Sequence, residues 1–164
     1  MSEQKTVSPA GVMPPREHLE LLETTQPATE LWWEYKQDFQ GQGWNELESV
    51  GQIADLVLGL NDVTDGLTLE DDEPVTRYAQ MYYLGEQRFQ LELASVVPEG
   101  AYNFRIGQGA HAAEQEGNSP TTAATNVQLL TRAQLIEVLT SWAQGQGLPH
   151  GYGSALHCYG DVSV

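Results

Sequence analysis

The stretch VTRYAQMYYLGEQRFQLELASVV, residues 75–97, decides the fold. It predicts two β-strands, Val75 to Leu84 and Gln87 to Val97, with Gly85-Glu86 between them. A two-residue loop that begins with glycine suits a type II′ turn, which joins neighbouring antiparallel strands. Pro98 ends the second strand, because proline has no N–H to donate to a β-ladder. The centre of the chain is therefore expected to form a β-hairpin.

The expected turn also predicts which side chains share a face of this hairpin, since side chains alternate along each strand. The face expected to meet the core carries three cross-strand pairs: Tyr82 with Phe89, Gln80 with Leu91, and Tyr78 with Leu93. The other face is expected to carry Met81, Tyr83, Arg88, Gln90 and Glu92.

Helices are expected to cover this sheet. From Trp44 to Leu60, apolar residues recur at three- and four-residue steps, as on one face of an amphipathic helix. Thr131 can cap another helix that continues to Trp142. A further helix is predicted from Thr29 to Phe39, and a short one over residues 15–23.

Together these elements predict one α+β domain over residues 15–164, an antiparallel central sheet packed with helices as a two-layer sandwich. Residues 1–14 are polar, with scattered proline and glycine, and are expected to form a flexible N-terminal arm. Residues 107–125 contain few apolar side chains and are expected to form a long loop that is disordered, ordered by a partner or functional.

The charge of the chain restricts what it can bind. Among 164 residues, 23 are acidic and 7 are Lys or Arg, which gives a formal net charge of −16. Such a field repels nucleic acids and anionic membranes but attracts a basic protein. Neither a secretory signal nor an apolar run that could cross a bilayer stands out, so we expect a cytoplasmic protein with no nucleic-acid or membrane partner.

No spacing in the sequence is typical of an active site, so we expect no catalytic residue, metal or cofactor. His150, His157 and Cys158 lack the four-ligand pattern that zinc needs. Residues 61–72, NDVTDGLTLEDD, partly match a calcium loop, with Asp72 where a bidentate glutamate belongs. The alternative for this segment is a helix-to-strand turn in which Asp65-Gly66 provides the bend.

Two groups of residues are candidates for contact with another protein. Tryptophan and tyrosine are common interface anchors, and a cluster of rings precedes the hairpin, although it could instead cover the sheet. An acidic run follows, which could equally be a solvated turn. The predicted partner-binding residues are Trp32, Trp33, Trp44, Asp71, Asp72 and Glu73, an apolar anchor set with a charged rim.

The order of these motifs resembles a known group of proteins. A helix over residues 44–60 precedes Asp65-Gly66-Leu67-Thr68-Leu69, then Arg77-Tyr78-Ala79-Gln80, then a strand that carries Glu92. This order resembles the type III secretion chaperone-like superfamily, and within it the YbjN-type peptide-binding chaperones of actinobacteria. The resemblance covers residues 43–97 and implies a small α/β sandwich that binds segments of other proteins without catalytic residues.

A second resemblance, to small toxin-immunity proteins, depends on the Tyr82-Tyr83 strand, the last helix and Pro149. It implies an acidic inhibitor that plugs a basic toxin. An acidic mimic of DNA shares the charge and is a third alternative. From the sequence we therefore predict a non-catalytic acidic protein-binding module whose partner is a basic protein, with chaperone-like capture of a polypeptide ahead of toxin inhibition.

Overall fold

The computed structural model describes residues 30–98, 100–108 and 128–157. The predicted N-terminal arm, the helix predicted over residues 15–23 and most of the predicted loop lie outside these ranges. In chain order the elements are β1 (Leu31–Gln37), β2 (Gln40–Glu46), α1 (Gln52–Leu58), β3 (Gly66–Asp71), β4 (Arg77–Gly85), β5 (Arg88–Val97), β6 (Gly100–Gln108), α2 (Arg132–Ala143) and β7 (Tyr152–His157).

All seven described strands form one open antiparallel sheet in the order β2-β1-β3-β4-β5-β6-β7. Both helices pack against the same face of it, so the predicted α+β fold class is confirmed. Helix α1 contributes Ile53, Leu56 and Val57 to the core, and α2 contributes Leu135, Val138, Leu139 and Trp142. Burying one such side chain stabilises the fold by about 1.5–3 kcal/mol.

The β4–β5 hairpin forms as predicted, but its predicted register is wrong by one residue. The loop consists of Glu86 and Gln87, with Gly85 opposite Arg88, and an irregularity between Tyr83 and Gly85 then brings Tyr83 opposite Phe89 and Met81 opposite Leu91. Both loop residues have positive φ, 55° and 60°, as a type I′ turn requires. A slip of one residue exchanges the faces of β4. The core therefore takes Ala79, Met81 and Tyr83, whereas Tyr78, Gln80 and Tyr82 lie on the other face.

The helix predicted from Thr29 to Phe39 is wrong, because this segment contains strand β1. Side chains of LWWEYKQ alternate between the two faces, with Trp33 and Tyr35 packed against the core. Asp38 and Phe39 form the turn into β2, with φ of 54° and 64°. The β1–β2 hairpin buries the apolar side chains on one face of β1. In a helix, the same side chains would point in different directions around the helix axis.

The helix predicted from Trp44 to Leu60 is also too long, since α1 begins only at Gln52. Trp44 lies in β2, and the backbone N–H of Leu47 still donates to the carbonyl of Leu31 at 2.8 Å. Likewise, the first two residues of the loop predicted at 107–125, Gly107 and Gln108, belong to β6. In both segments the backbone N–H and C=O groups bond to a neighbouring strand. The sequence pattern does not show this pairing.

Helix α2 begins where predicted. The Thr131 hydroxyl accepts the Gln134 N–H at 3.2 Å, and the Gln134 side chain accepts the Thr131 N–H at 2.9 Å, which completes a capping box. Neither helix of the described ranges is long and apolar enough to cross a membrane.

A single arginine at the start of α2 joins three elements. The Arg132 guanidinium donates to the carbonyls of Val57 at 2.7 Å and Leu60 at 3.0 Å, and to the Gln87 side chain at 3.0 Å. It also lies 4.9 Å from the centre of the Phe89 ring. Arg132 thus ties the end of α1 and the β4–β5 turn to α2.

Candidate partner-binding cleft

The two faces of the sheet differ in composition. The helix-bearing face is apolar, whereas the opposite face carries polar and aromatic side chains in rows across neighbouring strands. One row places Glu34, Thr68, Gln80, Glu92 and Arg105 side by side. Glu92 and Arg105 form a buried ion pair of 2.8 Å in this row.

A cleft of about 220 Å³ lies at the β2 side of this opposite face. Strands β1 and β2 supply its two indole rings, and the end of β3 with the loop that follows supplies its four carboxylates. We call it the acidic cleft; it is lined by Trp32, Trp44, Glu70, Asp71, Asp72 and Glu73. The structure thus brings together five of the six predicted partner-binding residues.

Trp33 is the predicted contact residue that does not reach the acidic cleft. It pairs with Leu69 on the helix-bearing face, where it packs against the core. Its ring meets the Tyr35 ring edge-on, with centroids 5.3 Å apart. The Tyr35 hydroxyl donates to the Leu56 carbonyl at 2.6 Å, so this aromatic pair fastens β1 to α1.

Glu70 lines the acidic cleft but was not predicted from the sequence. It pairs with Trp32 across β1 and β3, so both side chains stand on the same face. The signal was present in the run Leu67-Thr68-Leu69-Glu70, whose alternation places Glu70 opposite to the buried leucines. Finding it required knowledge that β1 and β3 are neighbours.

The carboxylate of Asp71 holds the loop that carries the other acids. It accepts the backbone N–H of Thr76 at 2.8 Å and that of Arg77 at 3.3 Å, and also the Thr76 hydroxyl. The Arg77 guanidinium in turn donates to the Trp142 carbonyl at 2.7 Å and stacks on the Trp142 ring. The loop is therefore anchored to the core, while Asp72 and Glu73 remain exposed.

The cleft concentrates negative charge. Partial burial raises the pKa of Glu70, and repulsion from Glu73, Asp71 and Glu34 raises it further, against the opposing effect of Lys36. None of the six lining residues is basic. A cation bound here would relieve this repulsion, so the site favours a positively charged ligand.

The two tryptophans make the cleft suitable for an organic cation. Trp44 is 43% exposed, so its ring offers a face to a ligand. Lysine and arginine side chains bind both aromatic faces and carboxylates, and arginine does so most often.

Metal binding receives no support from the geometry. Within residues 30–98, 100–108 and 128–157, no three His, Cys, Asp or Glu side chains are placed to hold an ion. The Asp65 carboxylate accepts the N–H groups of Asn61 and Asp62, both at 3.0 Å. Gly66 already belongs to β3, so the segment before it forms a turn into a strand, as the alternative for residues 61–72 predicted.

A second depression of about 550 Å³ lies beside α2. It is wide and shallow, and Glu137 is its one charged lining residue. The Glu137 carboxylate already accepts the Tyr152 hydroxyl at 2.7 Å, and burial raises the pKa of that tyrosine. Convergent charge and aromatic rings distinguish the acidic cleft from this surface.

Comparison of the chain with known protein families, with characterised proteins and with solved structures finds no match. The resemblances to secretion chaperones and to immunity proteins therefore stay predictions.

Proposed function

We propose that this protein is a non-catalytic binding module that captures a partner polypeptide by a basic segment, with the acidic cleft as the contact site. The observation that carries the proposal is the convergence of two indole rings and four carboxylates on one cleft. A lysine or arginine side chain fits that chemistry, since its charge meets the carboxylates and its stem packs on the rings.

The strength of such contacts favours transient capture. A cation–π contact contributes about 0.5–2 kcal/mol, and an exposed ion pair about 0.2–1 kcal/mol. A volume near 220 Å³ accommodates one or two side chains, less than a drug-sized ligand fills. The net charge of −16 would speed the encounter with a basic chain, an effect that salt weakens. These magnitudes support chaperone-like capture ahead of a tight toxin inhibitor.

The experiment is a titration of fluorescent blocked peptides into the full chain, with arginine alternating with threonine in one peptide and glutamate replacing arginine in the other. We expect binding of the arginine peptide alone, with an affinity that falls as salt rises. Trp44→Ala should weaken binding about tenfold, the loss of roughly 1.4 kcal/mol. Phe39→Ala is the matched control, because it removes another exposed ring of the same hairpin.

Equal binding of the two peptides would refute the proposal, and so would equal effects of the two substitutions. A basic partner found in the native host then separates the roles. Restored solubility of that partner on co-expression would favour chaperone-like capture, whereas rescue of growth from its toxicity would favour inhibition of a toxin.

A further inference from the structure

The outer edge of β2 is unusual for the edge of a sheet. No strand of the described chain pairs with it, and all seven of its residues are exposed. Natural edge strands are commonly protected by lysine, proline or short length, because unpaired backbone groups invite another strand. The β2 sequence QGQGWNE contains neither lysine nor proline. By contrast, the opposite edge strand β7 includes the buried residues Gly153 and Ser154.

This outer edge of β2 lies directly beside the acidic cleft. Trp44 belongs to β2 itself, and Trp32 and Glu70 follow on the next two strands. A register shift disturbs the hairpin between Glu34 and Lys36, but the pairing is regular from Glu34 with Trp44 onward. A strand added beyond β2 would lie about 4.8 Å away, with every second side chain on the face of Trp44.

We propose that an extended segment of a basic partner pairs with β2 as an additional strand and places a lysine or arginine side chain in the acidic cleft. This inference rests on the proposed function and specifies how the segment is held. Backbone hydrogen bonds to β2 supply affinity that is independent of sequence, and the cleft selects a cation at one position. A site with one selective position and otherwise sequence-independent contacts suits a protein that captures segments of varied sequence.

The charge of the chain favours this occupant over a second copy of the protein. Two copies joined through β2 would bring together two molecules of net charge −16. Each would also place its Glu46 and its four cleft carboxylates near the shared edge. Like charges across an interface oppose association, whereas a basic strand neutralises them.

The test uses the alternating arginine–threonine peptide and two isomers with methylated backbone nitrogens. One isomer carries N-methyl groups on the arginines and the other on the threonines. Backbone N–H groups of alternate residues point to opposite sides of a strand, so for one strand direction with the arginines in the cleft only one isomer has its β2-facing donors blocked. We expect that isomer to bind at least about tenfold more weakly than the parent, and the other to bind like the parent.

A second readout is amide hydrogen exchange of the full chain, in which the parent peptide should slow exchange of the β2 amides that face away from β1. Equal affinity of both isomers with unchanged exchange in β2 would overturn the inference. The proposed function would survive that result if Asp72→Asn/Glu73→Gln still weakened binding. If the double substitution had no effect on the parent peptide, the proposed function would fail and the inference with it. Slow exchange, without peptide, of the β2 amides that face away from β1 would also overturn the inference, whether in a dimer or a monomer, because another segment would occupy the edge.

Discussion

The hairpins β1–β2 and β4–β5 have similar turns but different surroundings. Each has two turn residues of positive φ, Asp38-Phe39 in one and Glu86-Gln87 in the other. The β4–β5 hairpin lies in the middle of the sheet and carries much of the core, whereas β2 is exposed along its whole length. The comparison predicts that the central hairpin provides stability, and the proposal above assigns binding to the edge hairpin.

The largest expected difference is in the cost of removing a ring from each hairpin. Phe89 is fully buried in β5, so Phe89→Ala should lower the free energy of unfolding by about 3–5 kcal/mol. Trp44→Ala at the edge should lower it by less than about 1 kcal/mol. Chemical denaturation of both variants measures the difference, and similar losses would show that the edge hairpin also carries stability.

The next effect concerns the arginine that fastens the central hairpin. Arg132→Met keeps an unbranched stem but leaves the carbonyls of Val57 and Leu60 without this donor. We expect a loss of about 2 kcal/mol in the free energy of unfolding, the cost of unsatisfied, partly buried acceptors. Arg88→Met in the same hairpin is the control, since Arg88 is exposed. A loss below about 0.5 kcal/mol for Arg132→Met would contradict this role.

A smaller effect is expected in the edge turn. Phe39 is 68% exposed and has a φ of 64°, a conformation that bulky residues rarely adopt. Replacing Asp38-Phe39 with Asn-Gly should stabilise the protein by up to about 1 kcal/mol, because this pair suits a type I′ turn. Thermal unfolding would detect the change, and a lower melting temperature would mean that the Phe39 ring contributes packing in the folded state.

The smallest predicted effect depends on pH. The raised pKa of Glu70 means that the folded state holds this proton more tightly than the unfolded state does. The free energy of unfolding therefore falls as pH rises from the ordinary value of 4.5 through the folded pKa. Glu70→Gln should raise the melting temperature at pH 7 and have little effect at pH 4. If Glu70→Gln raised the melting temperature equally at pH 7 and at pH 4, the increase would have a cause other than the loss of this charge.

Local signals in the sequence explain which parts of the fold could be predicted. The capping box at Thr131 lies within four residues, so the start of α2 was readable from the chain. The hairpin at residues 75–97 was also local. Its register was not, because it depends on which face of β4 fills the core against helices that come from distant parts of the chain.

Local signals in the sequence also made part of the acidic cleft predictable. Large rings and clustered acids identified five of its six lining residues by type. A helical interpretation of residues 29–39 could not separate Trp32 from Trp33, which strand alternation places on opposite faces. Glu70 joins the cleft only through the pairing of β1 with β3, a contact between segments more than 30 residues apart.

The most direct measurement compares two double variants that each remove two negative charges from exposed positions. Asp72→Asn/Glu73→Gln removes them from the acidic cleft, and Asp38→Asn/Glu86→Gln removes them from the two hairpin turns. Titrated with the arginine peptide, the cleft variant should bind about tenfold more weakly than the unmodified protein, and the turn variant should bind almost as well. Equal losses in the two variants would show that overall charge governs binding, and would contradict a specific role for the cleft.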